Sequence, residues 1–156
     1  MDQLRRTFLK SAGIAGSVVI AIAAGVLKTG EALAAAINSA AFEAKKLPDA
    51  MTAAGFAGAV ESKDIDLKVP EIAENGAVVD VKVTSKIPGT TSLAVFVEKN
   101  PLPTAAIFDF MAGTEPYVNI RIKMLQTSVV RVAVKAGGKT YMVNKEVKVT
   151  LGGCGG

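Results

Sequence analysis

The sequence predicts an all-β protein: an immunoglobulin-like antiparallel β-sandwich of about seven strands, with a short amino-terminal helical arm and a flexible glycine-rich carboxyl-terminal tail. Three observations carry this. From Asp64 onward, apolar residues recur at every second position, the period that buries one face of a strand and wets the other. The alternating runs are separated by turn-forming pairs and by prolines, which interrupt a ladder. Between the two unusual ends of the chain lie roughly 110 residues, enough for one two-sheet core.

The strands follow in order. Ile65, Leu67 and Val69 alternate with Asp66 and Lys68, and Val79, Val81 and Val83 alternate with Asp80 and Lys82. Ser92 to Glu98 and Ala105 to Met111 are the next two apolar runs. Val118, Ile120, Ile122 and Met124 alternate with Asn119, Arg121 and Lys123, and Val130, Val132 and Val134 with Arg131 and Ala133. In the last run, Thr140 to Leu151, Val143, Val147 and Val149 stand against Asn144, Glu146 and Lys148. Lys145 falls on the buried parity there, which predicts either a bulge or a wet inner face near that edge. Asn75-Gly76 and Pro88-Gly89 suit turns with positive φ, Asn100-Pro-Leu-Pro103 breaks any ladder, and Gly137-Gly138 suits a two-residue hairpin loop. The Cys…Trp…Cys signature of antibody domains is absent, and a small barrel is the alternative architecture.

Ahead of the sandwich, residues 35–60 form an alanine-rich helical arm. Pro48 divides it into two pieces, Asp49 stands early in the second where it suits a helix amino terminus, and Gly55 and Gly58 loosen its end. Such an arm is expected to pack on the sandwich edge or on a partner.

The first 34 residues have the order of an export signal. Leu4-Arg-Arg-Thr-Phe-Leu-Lys10 is basic, Ser11 to Leu27 is 17 residues without a charge, and Ala32-Leu-Ala34 offers small residues for cleavage after Ala34 or Ala36. Arg5 and Arg6 followed by Phe-Leu-Lys resemble the twin-arginine signal of bacteria, with Leu4 where Ser or Thr is usual. A membrane anchor fits less well, because the uncharged stretch is short for a span and rich in Gly and Ala rather than Leu. Removal of residues 1–34 takes away Arg5, Arg6, Lys10 and Lys28 with Asp2 and Glu31, leaving 14 basic and 12 acidic groups and a net charge of +2. No Lys/Arg cluster of the nucleic-acid type remains, and no membrane segment is expected after cleavage.

Composition excludes most catalysis. With no histidine and one cysteine, a Ser/His/Asp triad, a Cys/His dyad and an imidazole-ligated metal cannot be built from this chain. Asp64, Asp66 and Asp80 are the most tempting acidic group, but alternation on a strand lacks the loop geometry of an oxygen cage and reads as a solvated face. No cofactor or metal is expected, and no catalytic residue.

The chain closes with Leu151-Gly-Gly-Cys-Gly-Gly156, a tail of residues 152–156 that follows the sandwich at 61–151. Glycine samples both signs of φ, so Gly152, Gly153, Gly155 and Gly156 leave Cys154 on a loose and thin tether. Extended, the three residues from Leu151 carry it roughly 10 Å outward. Nucleophilic enzymes instead hold a cysteine rigidly beside a base or at a helix amino terminus. Here the neighbouring charge is a carboxylate two residues on, which disfavours the thiolate. Such a thiol is suited to being carried into the active site of another protein.

The Gly152-Gly-Cys154-Gly-Gly156 ending, Pro70-Glu-Ile-Ala-Glu-Asn-Gly76, Val97-Glu-Lys-Asn-Pro101 and Glu146-Val-Lys-Val-Thr-Leu151 resemble the SoxY family, the sulfur carriers of the bacterial thiosulfate-oxidising Sox system. The resemblance runs from about Phe42 to the carboxyl terminus. It implies an immunoglobulin-like sandwich paired with a SoxZ-like subunit. It also implies transient contacts with a cytochrome complex, SoxAX, that joins thiosulfate to the terminal cysteine, a dimanganese hydrolase, SoxB, that releases sulfate, and a molybdenum enzyme, SoxCD, that oxidises the remaining sulfane. Carried over to this chain, Cys154 is the covalent attachment point and Gly152, Gly153, Gly155 and Gly156 are the swinging arm; the protein is a periplasmic substrate carrier, exported with its partner by the twin-arginine route. Two rival readings differ in class. An exported structural protein would use its odd cysteine for an intermolecular disulfide. A ubiquitin-like carrier would activate a terminal Gly-Gly carboxylate, but that chemistry leaves both Cys154 and the export signal unexplained.

Overall fold

The computed structural model describes residues 38–150. The export-signal reading, including Arg5 and Arg6, and the terminal tail with Gly152, Gly153, Cys154, Gly155 and Gly156 lie outside the described residues.

Two helices come first, α1 (Ser39–Glu43) and α2 (Leu47–Ala53), followed by β1 (Val60–Glu61), β2 (Ile65–Lys68), β3 (Ile72–Ala73) and β4 (Val79–Ser85). The longer strands complete the fold: β5 (Thr90–Val97), β6 (Thr104–Asp109), β7 (Tyr117–Ile122), β8 (Ser128–Ala136) and β9 (Lys139–Val149). One sheet has the order β1-β9-β8-β5-β6, with β3 also pairing β9, and the other is β2-β4-β7. The two sheets enclose one core, as the alternation predicts for an immunoglobulin-like sandwich.

The seven strands expected from period-two patterning correspond to β2 and β4 to β9. Their inward positions supply the core: Ile65 and Leu67, Val79, Val81 and Val83, Leu93, Val95 and Val97, Val118 and Ile122, Val130, Val132 and Val134, and Val147 are all buried. β1 and β3 were not foreseen. Each has two residues and pairs parallel to β9, β1 at Tyr141 and Met142 and β3 at Lys148 and Val149. A two-residue strand has no period to read.

Turn chemistry is met in two ways. Gly137 and Gly138 both have positive φ, 56° and 75°, and join β8 to β9 with Ala136 directly opposite Lys139, as a tight two-residue hairpin requires. Gly89 likewise has φ 72° after Pro88. Gly76 differs from expectation, because it is not among the positive-φ residues. A Cβ there would fall well inside contact distance of the Met124 carbonyl oxygen and 2.8 Å from Val149 Cγ1, so glycine is needed for close approach instead. Lys145 pairs with Val130 in unbroken register and is exposed. Of the two expectations, the wet inner face holds and the bulge does not.

The helical arm lies on the face of the larger sheet rather than at the sandwich edge. Ala41, Leu47, Ala50, Met51, Ala54 and Phe56 bury against Ala94, Phe96 and Ala133, the outward residues of β5 and β8. This explains why β5 reads as an unbroken apolar run from Leu93 to Val97: both of its faces are covered. Asn38 starts α1 by accepting from the Ala41 amide, and its Nδ2 donates to the Ala53 carbonyl at 2.6 Å, tying the two helices together. Thr104 Oγ1 on β6 donates to the Ala41 carbonyl at 2.6 Å in a buried setting.

Phe56 is the central anchor. It is fully buried, meets Phe96 edge-on with ring centroids 6.4 Å apart, and lies under Lys135 Nζ, 4.5 Å from its centroid. Lys135 Nζ also donates to the Ala54 carbonyl at 3.2 Å, closing the turn after α2. Phe56→Ala is expected to destabilise the protein by about 3 kcal/mol or more in equilibrium urea unfolding, the usual cost of emptying an aromatic site; a loss below about 1 kcal/mol would show that the arm is not part of the cooperative fold.

Candidate functional site

Since Cys154 follows β9, the site accessible to description is the pole from which the terminal segment departs. β9 does not fray there. On one edge it pairs with β8 as far as Val147 opposite Ser128, where β8 begins. Past that point Thr127 substitutes for a strand: its Oγ1 accepts from the Val149 amide at 3.0 Å and lies 3.5 Å from the Val149 carbonyl oxygen. On the other edge the Lys148 amide donates to the Glu71 carbonyl at 2.9 Å, and the Thr150 amide to the Ala73 carbonyl at 3.1 Å. Backbone groups that would otherwise be left open at a strand end are thus bonded on both sides.

The segments around this end are themselves joined. The Met124 amide donates to the Gly76 carbonyl at 2.7 Å, at the close approach that excludes a Cβ. Asn75 Oδ1 accepts from the Ala77 amide at 2.9 Å and holds that turn. Across the pole, Asn100 Nδ2 donates to the Lys123 carbonyl at 2.7 Å and its Oδ1 accepts from the Leu125 amide at 3.2 Å. The Lys99 amide donates to Ser128 Oγ at 3.0 Å. Residues 70–76, 97–101 and 146–150, noticed separately in the sequence, therefore meet at one pole through the 123–128 loop.

Alternation along the chain does not reveal Thr127, Gly76 and Asn100 as parts of this base. The signals in the sequence are the Asn75-Gly76 pair, which reads as a turn, Asn100-Pro101, which reads as a ladder break, and the two family-like segments 70–76 and 97–101 that contain them. The acidic residues considered for a metal do not converge. Asp66 Oδ2 is 3.6 Å from Lys68 Nζ, and Asp80 Oδ1 is 3.3 Å from Arg121 Nε, on exposed strand faces. Asp80 lies directly opposite Arg121 across the β4–β7 ladder, the cross-strand arrangement of a solvated face. Among the described residues, no group of three or more carboxylates or thiols is placed to hold a metal ion.

Fold and site define a class: an immunoglobulin-like β-sandwich whose last strand is locked into the sheet immediately before a cysteine-bearing segment. The family model for "Sulfur oxidation protein SoxY" matches residues 51–154, ending on the lone cysteine. The chain belongs to the SoxY family. Among solved structures, it is similar to the sulfur carrier protein SoxY from Chlorobium limicola f. thiosulfatophilum at 44% identity, over 66% of this chain and 96% of that one, with a TM-score of 0.59. A superoxide reductase (neelaredoxin) from Ignicoccus hospitalis, the E23A form, matches at 17% identity over 64% of this chain and 87% of that one, with a TM-score of 0.50, a likeness of fold alone. A search of curated protein sequences gave no match. Membership of this family places the chain in sulfur oxidation.

Gly76→Ala is expected to push the 75–78 turn away from Met124 and Val149, with a loss of about 1–3 kcal/mol typical of overpacking. Amide exchange should accelerate at Lys148 and Thr150, the donors to residues 71 and 73. Unchanged exchange at both positions would mean that the turn does not support the end of β9.

Proposed function

We propose that this protein is the covalent carrier of sulfur intermediates in periplasmic thiosulfate oxidation, with Cys154 as the attachment point. The observation that supports this most is the family match that reaches residue 154, the only cysteine of the chain. Two further features agree with it: the similar Chlorobium protein is described as a sulfur carrier, and β9 offers a fixed origin for the segment that bears the thiol.

The chemistry balances with partner enzymes supplying what the chain lacks. The Cys154 thiolate and the sulfane sulfur of thiosulfate form an S–S bond, releasing two electrons to a c-type cytochrome of the SoxAX kind. Water then cleaves the bond between the outer sulfur and the sulfone in a SoxB-like hydrolase, which releases sulfate and two protons and leaves a persulfide on Cys154. A SoxCD-like enzyme, where present, oxidises that remaining sulfur. The chain supplies the nucleophilic sulfur and a narrow glycine arm made of Gly152, Gly153, Gly155 and Gly156, while a SoxZ-like subunit completes the carrier. The chain is not itself the enzyme.

Export follows from Arg5 and Arg6 in a twin-arginine signal, which moves folded proteins and so allows a bound partner to cross with the carrier. Replacing both with lysine should leave precursor in the cytoplasm by cell fractionation. Mature protein in the periplasm at the normal level would contradict that route.

Cys154→Ser tests the carrier reading. Thiosulfate-dependent oxygen uptake by cells should fall to background, while the unfolding free energy stays within about 0.5 kcal/mol of the parent because every core residue named above is unchanged. Normal uptake by this variant, or thiosulfate turnover by the purified chain alone, would sink the proposal.

A further inference from the structure

We infer that Thr127 is a positioning residue for Cys154: its hydroxyl latches the end of β9 and so fixes how much chain lies between the sandwich and the thiol. The inference rests on the carrier reading for its consequence and adds to it the group that sets the length of the arm. The two edges of β9 are closed by different means here. On the β3 side the partners are backbone carbonyls, those of Glu71 and Ala73, which accept from the Lys148 and Thr150 amides. On the β8 side the ladder ends with Val147 opposite Ser128. The next amide on that edge, Val149, meets a side chain instead, Thr127 Oγ1 at 3.0 Å.

That hydroxyl is placed by its neighbours. The Leu125 amide donates to Asn100 Oδ1 at 3.2 Å, Gln126 Nε2 donates to the Lys99 carbonyl at 3.2 Å, and Ser128 Oγ accepts from the Lys99 amide at 3.0 Å. Held before and after, Thr127 loses little freedom when it accepts from Val149. The bond is partly buried, so loss of the acceptor leaves a backbone amide short of its partner. A serine keeps the acceptor, whereas a valine of nearly the same shape removes it.

The latch matters because the other hold is small. β3 pairs with β9 over two residues, Ile72 with Lys148 and Ala73 with Val149, and so short a ladder on one edge is a marginal restraint by itself. With the latch closed, the chain is fixed as far as Thr150, and four peptide units lead on to Cys154. The Cys154 Cα then lies within about 14 Å of the Thr150 Cα. With it open, the last firm point is Val147, which is fully buried. Seven units then lead to Cys154, a span of up to about 25 Å. Lengthening a tether in this ratio lowers the concentration of its end group about twofold at a point within reach of both, by the −3/2 power of length. One hydroxyl thus confines the sulfur to the neighbourhood of a single pole.

The test uses the full exported protein, isotope-labelled, with a nitroxide attached to Cys154 through a disulfide before the partner subunit is added. The nitroxide broadens the amide resonances that it approaches. In the parent, broadening should centre on residues 71–77, 98–101 and 123–128, and the Val149 amide should be protected from hydrogen exchange. In Thr127→Val the footprint should spread about 11 Å farther over the sandwich, with exchange at Lys148 and Thr150 accelerated about tenfold. Thr127→Ser should restore the parental footprint, which a change of packing alone does not explain. A parental Val149 amide that exchanges at the rate of an unstructured chain overturns the latch without any variant. It is equally overturned by an unchanged footprint in Thr127→Val, or by a Thr127→Ser footprint as wide as that of the valine form. The footprint requires no sulfur transfer, so these failures leave the carrier reading in place. Failure of the carrier reading shows separately, as normal thiosulfate-dependent oxygen uptake by Cys154→Ser.

Discussion

The strand that ends the described chain is held on both of its edges, and the arrangement of the other elements follows from that constraint. A terminal strand commonly sits at the side of a sheet, where one edge stays open and the last residues can peel away. β9 instead has β8 along one edge and β1 and β3 in succession along the other. The parallel partners come from the short segment between the helical arm and β4, so residues early in the domain fix its last strand. Thr127 and Ala73 extend the bonding to Val149 and Thr150, beyond the point where β8 begins. The segment that follows starts from a defined position on the sandwich.

The larger sheet carries a second burden on its outer face. Ala94, Phe96 and Ala133 would expose an apolar surface if α1 and α2 were absent, and small alanines there let the helices approach closely. Lys135 and Arg131, cations on that face, are turned to use by the arm. Lys135 caps the Phe56 ring. Arg131 Nε donates to Asn144 at 2.7 Å, and its Nη1 approaches Met51 Sδ at 3.8 Å. The smaller sheet is different: its outer face stays polar, with Asp66, Lys68, Asp80, Lys82, Asn119 and Arg121 in alternation. Its ion pairs are exposed and contribute little to stability. Cohesion comes from the valine-rich interior and from the helical cover.

Much of this was legible in the sequence because the seven longer strands obey one period and have a wet side and a dry side. Gly137-Gly138 was legible for a similar reason, since tight two-residue hairpin loops call for residues that adopt positive φ. The parts that escaped share a physical cause: they depend on neighbours distant in the chain. β1 and β3 are recognisable as strands only through β9. Gly76 reads locally as a turn residue, whereas its constraint is the carbonyl of Met124, far along the chain. The seat of the arm on a sheet face was hinted at by the unbroken run in β5 but required Ala133 and Phe96 together to be seen. At the site, the cysteine was conspicuous from its isolation among glycines. The clasp at its base was not, because Thr127 carries no pattern of its own and the family-like segments that hold Ala73 and Asn100 do not reveal that they meet.

The central claim is that Cys154 carries sulfur cargo, and intact-mass and peptide mass spectrometry of the protein from thiosulfate-oxidising cells tests it most directly. The account predicts thiosulfate-derived and persulfide adducts confined to Cys154 and removed by reductant. A population holding only free Cys154 and Cys154–Cys154 disulfides during active thiosulfate oxidation would contradict it.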